Sequence, residues 1–102
     1  MKSEKIFQKN YIPNPINTND IILPKEIAVL VESLAEQVHE MWSLGRINDG
    51  WTYSEKRDDY KKTTPCLVPY RDLSDAEKEY DRITAIQTLK FIINQGFKIS
   101  KI

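Results

Sequence analysis

The sequence predicts an α+β fold that is mainly α: two antiparallel amphipathic helices, over about 24–48 and 75–95, with a packed aromatic linker and short extended segments or strands. Three observations predict it. Apolar residues recur at helical spacing in two separate stretches. Start and stop signals bracket both. Between them lies a stretch rich in Trp, Tyr and Pro that follows no period. In 102 residues there is room for one core.

Residues 1–10 are polar and lysine-rich and read as a flexible arm, leaving 11–102 as the domain. Tyr11-Ile12-Pro13-Asn14-Pro15-Ile16 is extended, because each proline pushes the residue before it out of the helical region. Asn17-Thr18-Asn19-Asp20 is turn material. Ile21-Ile22-Leu23 fits either a short strand or a lid across the helices.

Pro24 suits the first position of a helix, where its missing N–H has no role. Ile27, Leu30, Val31, Leu34, Val38, Met41 and Trp42 then follow the i, i+3, i+4, i+7 pattern. Gly50 reads as the left-handed residue that ends this helix. The linker, about 50–72, is too long for an idle connection, and its aromatic content argues for packing. Trp51 and Tyr53 alternate, so an extended chain points both into the core. Short strand pairing is expected near Trp51-Thr52-Tyr53 and Leu67-Val68. Ser74-Asp75-Ala76-Glu77 is a capping box opening the second helix. Ala76, Tyr80, Ile83, Ala85, Leu89, Ile92 and Ile93 form its stripe, Gly96 closes it, and Phe97-Lys98-Ile99 is extended.

Charge and composition exclude several classes. Net charge is zero, so the basic excess that supplies phosphate affinity in nucleic-acid binders is missing. The single cysteine, Cys66, suits a reducing compartment. No apolar run approaches the roughly 20 residues of a membrane span. The charged N-terminus does not read as a signal peptide, and the cytoplasm is the expected location. One histidine, His39, makes no metal cluster, and a lone histidine on a helix flank is usually structural or solvated. Asp58-Asp59 reads as a solvated turn with Arg57, Lys61 and Lys62 as ready ion-pair partners. The three glycines form no phosphate loop. No acid–base or nucleophile set assembles from one His, one Cys and scattered carboxylates, so no enzyme, cofactor or metal is expected.

One pair does suggest binding chemistry. Trp42 and Arg46 are four apart and share a helix face. An indole beside a guanidinium fork can receive an aromatic ring carrying an anion. Arg57 supplies a second anion contact from the linker. The same spacing equally fits a core Trp42, with Arg46 paired to Asp49 or lying on an aromatic ring.

The motifs then name a family. His39-x-x-Trp42-x-x-x-Arg46-Ile47-x-x-Gly50-Trp51-Thr52-Tyr53 is followed by Arg57-Asp58-Asp59-x-x-Lys62-x-x-Pro65-Cys66-Leu67-Val68-Pro69-Tyr70 and Leu73-x-x-x-Glu77-Lys78-x-Tyr80. With Tyr11-x-Pro13-x-Pro15 ahead and Gly96 behind, the chain closely resembles the ryanodine receptor repeat, the RyR domain, over about residues 11–99. The resemblance makes Gly50, Trp51, Tyr53, Pro65, Pro69 and Tyr70 the structural motif. It implies a free-standing, single-repeat member of prokaryotic or viral type. It also implies a regulatory module, since tandem pairs in the family hold an adenine nucleotide between repeats. By motif position the ligand contacts fall on Trp42, Arg46 and Arg57, with Thr64 standing where the family often has histidine. Ser54 stands where it often has glycine. A comparable cleft here needs two chains. The expected function is therefore a non-enzymatic module for a nucleotide or nucleotide-like molecule held in a homodimer cleft. The alternative is a protein–protein interaction module without a small ligand.

Overall fold

In the computed structural model, which describes residues 10–102, two long helices run in opposite senses with the linker folded against one end. The elements are α1 (Lys25–Ala28), α2 (Val31–Asn48), β1 (Thr52–Tyr53), β2 (Thr63–Thr64), a 3₁₀ turn (Tyr70–Asp72) and α3 (Asp75–Asn94). The arm expected over 1–10 lies, except for Asn10, outside the described residues.

The first predicted helix is two. Pro24 is the N-cap rather than the first turn. At Leu30 the amide bonds to the Ile27 carbonyl at 2.9 Å, so one turn closes over three residues instead of four. Leu30 keeps helical dihedrals, and its carbonyl accepts from Leu34 at 2.8 Å to restart the ladder.

Both long helices end identically. Past α2, the Gly50 amide bonds to the Ile47 carbonyl and the Trp51 amide to the Arg46 carbonyl, both at 3.0 Å. Past α3, Gly96 bonds to Ile93 and Phe97 to Ile92. These are Schellman motifs, and each needs a left-handed residue that only glycine adopts freely. Gly50 has φ +91° and Gly96 φ +97°. Ser74 caps α3 by accepting from the Glu77 amide at 3.2 Å, which is one half of the expected box.

The linker contradicts two expectations. β1 pairs with Thr63–Thr64, in parallel, and not with Leu67-Val68. Tyr53 is 54% exposed rather than core, since the two-residue ladder turns both Thr52 and Tyr53 outward. Trp51 is half-buried. Between the strands, the Asp58 carboxylate accepts from the Tyr60 and Lys61 amides, and Lys62 takes a left-handed φ of 58°. Asp58 and Thr63 exchange both backbone hydrogen bonds at 3.0 Å. Ile21-Ile22-Leu23 and Phe97-Lys98-Ile99 form no strand, and Ile22 is exposed.

The core is thin. Ala35, Tyr70 and Leu73 are buried together, with Cys66 and Val68 against them, and Ala85 is buried on α3. Much of the predicted apolar stripe is not: Leu30, Met41, Tyr80 and Ile83 are all about half exposed or more. Polar contacts reinforce the packing. The Glu32 carboxylate takes two hydrogen bonds from Arg82 of α3, at 2.7 and 2.9 Å, and one from the Tyr70 hydroxyl at 3.0 Å. One carboxylate thus joins α2, the linker and α3. Buried Thr18 donates to Gln87, tying the N-terminal segment to α3.

Candidate functional site

The end of α2 builds the site. Trp42 and Arg46 share a face, as their spacing requires, and His39 lies one turn before them. His39 stacks on the Trp42 indole, centroids 5.7 Å apart and planes 21° off parallel. The Arg46 guanidinium lies over Trp42 from the turn after, at 5.4 Å. The Gly50 Schellman turn then folds the chain back, so that Trp51 lies over the same guanidinium at 4.9 Å. The apolar contact that usually accompanies this cap is replaced here by an indole on a cation. Arg57 reaches the same indole at 5.9 Å. The result is a column of alternating aromatic and cationic groups: His39, Trp42, Arg46, Trp51, Arg57.

Arg46 is half-buried, and among the described residues no group accepts a hydrogen bond from its side chain. It does not pair with Asp49; the two indoles hold it instead. Stacking uses the faces of a guanidinium and leaves its N–H edge unspent. Arg57 is more exposed and already engaged, donating to Asp59 at 2.7 Å. That hydrogen bond lowers the Asp59 carboxyl below its ordinary pKa and raises Arg57 above its own. The expectation of a solvated acidic turn describes Asp58 and Asp59 well: one caps backbone amides, the other pairs with Arg57.

All four residues proposed from the sequence as ligand contacts, Trp42, Arg46, Arg57 and Thr64, line one cavity of about 300 Å³. Thr64 is buried, and its hydroxyl accepts from the Cys66 amide at 3.2 Å. Of the structural motif, Gly50 shapes the turn and Tyr70 is buried, while Pro65 and Pro69 are exposed. Pro69 caps the 3₁₀ turn.

Sequence reasoning missed the opposite wall. Glu77, Tyr80 and Asp81 come from one face of α3 and line the same cavity with His39, Cys66 and Leu73. The 77, 80, 81 spacing is a legible helix face, but nothing in the sequence says that it meets Trp42. His39 is 3% exposed, and its Nε2 donates to the Val68 carbonyl at 2.7 Å. It is a structural residue set inside the site. Asp81 sits across from it, Oδ2 at 3.9 Å from Nδ1. Burial pushes the Asp81 carboxyl above its ordinary pKa, with His39 opposing the shift and Glu77 adding to it. Burial, and then the Glu77 charge, push the Cys66 thiol up as well, the opposite of the shift that activates a cysteine nucleophile.

Among the described residues no helix is long and apolar enough to cross a membrane. The RyR domain family profile matches residues 11–101, which takes in both long helices, the linker and every residue of this cavity. The chain therefore belongs to the RyR domain family, and is a regulatory or interaction module of that kind.

Proposed function

We propose that this module is not an enzyme and binds a small nucleotide-like ligand in the cavity between the end of α2 and α3. Arg46 carries this reading: a half-buried guanidinium, held between two indoles, lining a cavity with no acceptor of its own among the described residues. An anion supplies that acceptor, and Arg57 adds a second cation from the rim. The cavity, at about 300 Å³, is at the small end of ligand pockets, which run from about 300 to 1,000 Å³. It suits one ring system with a short anionic arm. His39 and Arg46 already lie over Trp42. A ring that stacks on this indole moves the Arg46 fork off it and towards the anion. A second copy of the chain closes the open side, giving the two-repeat cleft implied by the family resemblance.

The test is thermal unfolding with adenine mono-, di- and triphosphates and a cyclic nucleotide. At ten times Kd, a ligand adds about 1.4 kcal/mol, or about 5–10 °C in Tm for a domain of this size. Arg46→Ala removes the shift. No shift at millimolar ligand, or the same shift in Arg46→Ala, overturns the reading.

The second reading, an interaction surface for a protein partner, rests on a different face. Met41, Leu44 and Ile47 are 57, 52 and 58% exposed on α2. Exposed apolar side chains grouped on one helix favour a partner.

A further inference from the structure

A second groove, of about 450 Å³, lies between α2 and the linker and shares no lining residue with the cavity. Its α2 wall is Glu36, Glu40, Ser43 and Ile47, whose spacing sets them in one row along the helix. Leu67 and Arg71 bound it on the linker side. Tyr70 bonds to Glu32 and Val68 to His39, so the linker runs antiparallel to α2. Arg71 therefore lies towards the Glu36 end and Leu67 towards the Ile47 end. One end is acidic, two carboxylates against one guanidinium, and the other is apolar. Glu36 and Glu40 are exposed and form no ion pair among the described residues. Ile47 is 58% exposed.

The chain carries a segment of complementary chemistry. Phe97-Lys98-Ile99-Ser100-Lys101-Ile102 follows the Gly96 turn without helix or strand, and Phe97 is 66% exposed. Alternate side chains of an extended chain share a face, so Phe97, Ile99 and Lys101 line up. The lengths agree. Phe97 and Lys101 are about 13 Å apart when extended. Along a helix, Ile47 is about 10 Å from Glu40 and about 16 Å from Glu36. A phenyl ring between Ile47 and Leu67 thus brings the Lys101 ammonium between the two carboxylates. In its own chain Lys101 lies beside α1 instead, lining a different groove with Glu26 and Leu30.

We propose that a second copy of this chain lays its residues 97–102 into the groove between α2 and the linker, Phe97 at the Ile47–Leu67 end and Lys101 at the Glu36–Glu40 end. Reciprocal exchange between two copies gives a closed, symmetric dimer that contains each contact twice. The proposal rests on the second reading above, an interaction surface on α2, and names the partner and the segment that it brings.

Sedimentation equilibrium of the full chain, beside Glu40→Lys, Lys101→Glu and the two changes combined, is the experiment. Both positions are exposed, so the helical spectrum is expected to be unchanged. Each single reversal turns an attraction into a repulsion at two places in the dimer. Each is expected to weaken the dimer about tenfold, and the combination to restore it to within about threefold. An unaltered chain that stays monomeric overturns the proposal and leaves the surface to a different protein. Single variants that dimerise as tightly as the unaltered chain, or a combination no tighter than the singles, overturn it too. Leu44→Glu, which charges the exposed apolar face of α2 itself, then separates the two ideas. A dimer that it splits keeps the interaction surface without this segment, and a dimer that it leaves whole removes both.

Discussion

At the scale of single residues, Glu32 shows how a few polar contacts hold a small core together. Its carboxylate is drawn down to about 2 from an ordinary 4.5, first by the Arg82 hydrogen bonds and then by Tyr70, against some loss of hydration. The folded value lies below the unfolded one. Its stabilisation is therefore complete above about pH 4.5 and is lost as pH falls towards about 2. Both partners are partly in water, so the effect is modest. Glu32→Gln is expected to lower Tm by roughly 3 °C at neutral pH, with the two proteins converging as pH falls through that window. Melting curves recorded by circular dichroism from pH 7 to 2 check this. A difference that stays constant down to pH 2 contradicts it. Arg46 teaches the complementary point. Its spacing from Trp42 fits equally a ligand fork, an ion pair with Asp49 or a stack on an aromatic ring, and side-chain geometry was needed to choose. The choice came from Trp51, which the turn at Gly50 brings onto the guanidinium.

At the scale of elements, that turn is the hinge of the site. Gly50 and Gly45 are five residues apart, and a Cβ added at either meets nothing within 4 Å. They differ only in backbone conformation. Gly45 is inside α2, where alanine is the better helix former. Gly50 has φ +91°, where an L side chain is strained. Gly45→Ala should therefore stabilise by about 1 kcal/mol, and Gly50→Ala destabilise by about 1–2 kcal/mol. Urea unfolding measures both, and the same sign for the two substitutions refutes this account. Gly50→Ala is further expected to change tryptophan fluorescence, because it loosens Trp51 from Arg46. The helices, both glycine stops and the Ser74 cap were legible because each rests on residues within one turn of one another. The strand pairing was not. A two-residue parallel ladder has no period to detect, and its partner is chosen by the Asp58–Lys62 turn, so Thr63–Thr64 and not Leu67-Val68 faces β1.

At the scale of the whole molecule, apolar side chains outnumber the buried places for them. Ala35, Tyr70, Leu73 and Ala85 are the buried hydrophobic residues among those described. Met41, Leu44 and Ile47 remain on the surface of α2. This is the face of the second reading, an interaction surface, and a second copy of the chain is the simplest partner to cover it. Leu44→Glu places a charge at its centre and is expected to convert a dimer into monomers with the helical spectrum retained. Sedimentation velocity at several concentrations shows whether it does. An unaltered protein that is already monomeric at the highest concentration removes the homodimer and leaves the cavity as a one-chain site.

The sequence by itself determined the parts whose causes are local: two long helices and their caps, an aromatic linker, the Trp42–Arg46 face, and family membership through the Gly50–Tyr70 motifs. Helical period, capping and left-handed glycines act over a few residues, and those residues are adjacent on the chain. Only the tertiary structure decided which faces meet. It set Glu77 and Asp81 across a cavity from Arg46, and placed His39, for which the sequence left a structural and a solvated role equally open, where Nε2 is spent on Val68 and Nδ1 faces Asp81. Partners some 30 to 50 residues apart, such as His39 with Val68 or Glu32 with Arg82, meet only when two helices pack. Their relative rotation is set by Ala35, Tyr70 and Leu73 together, and no local pattern carries that information.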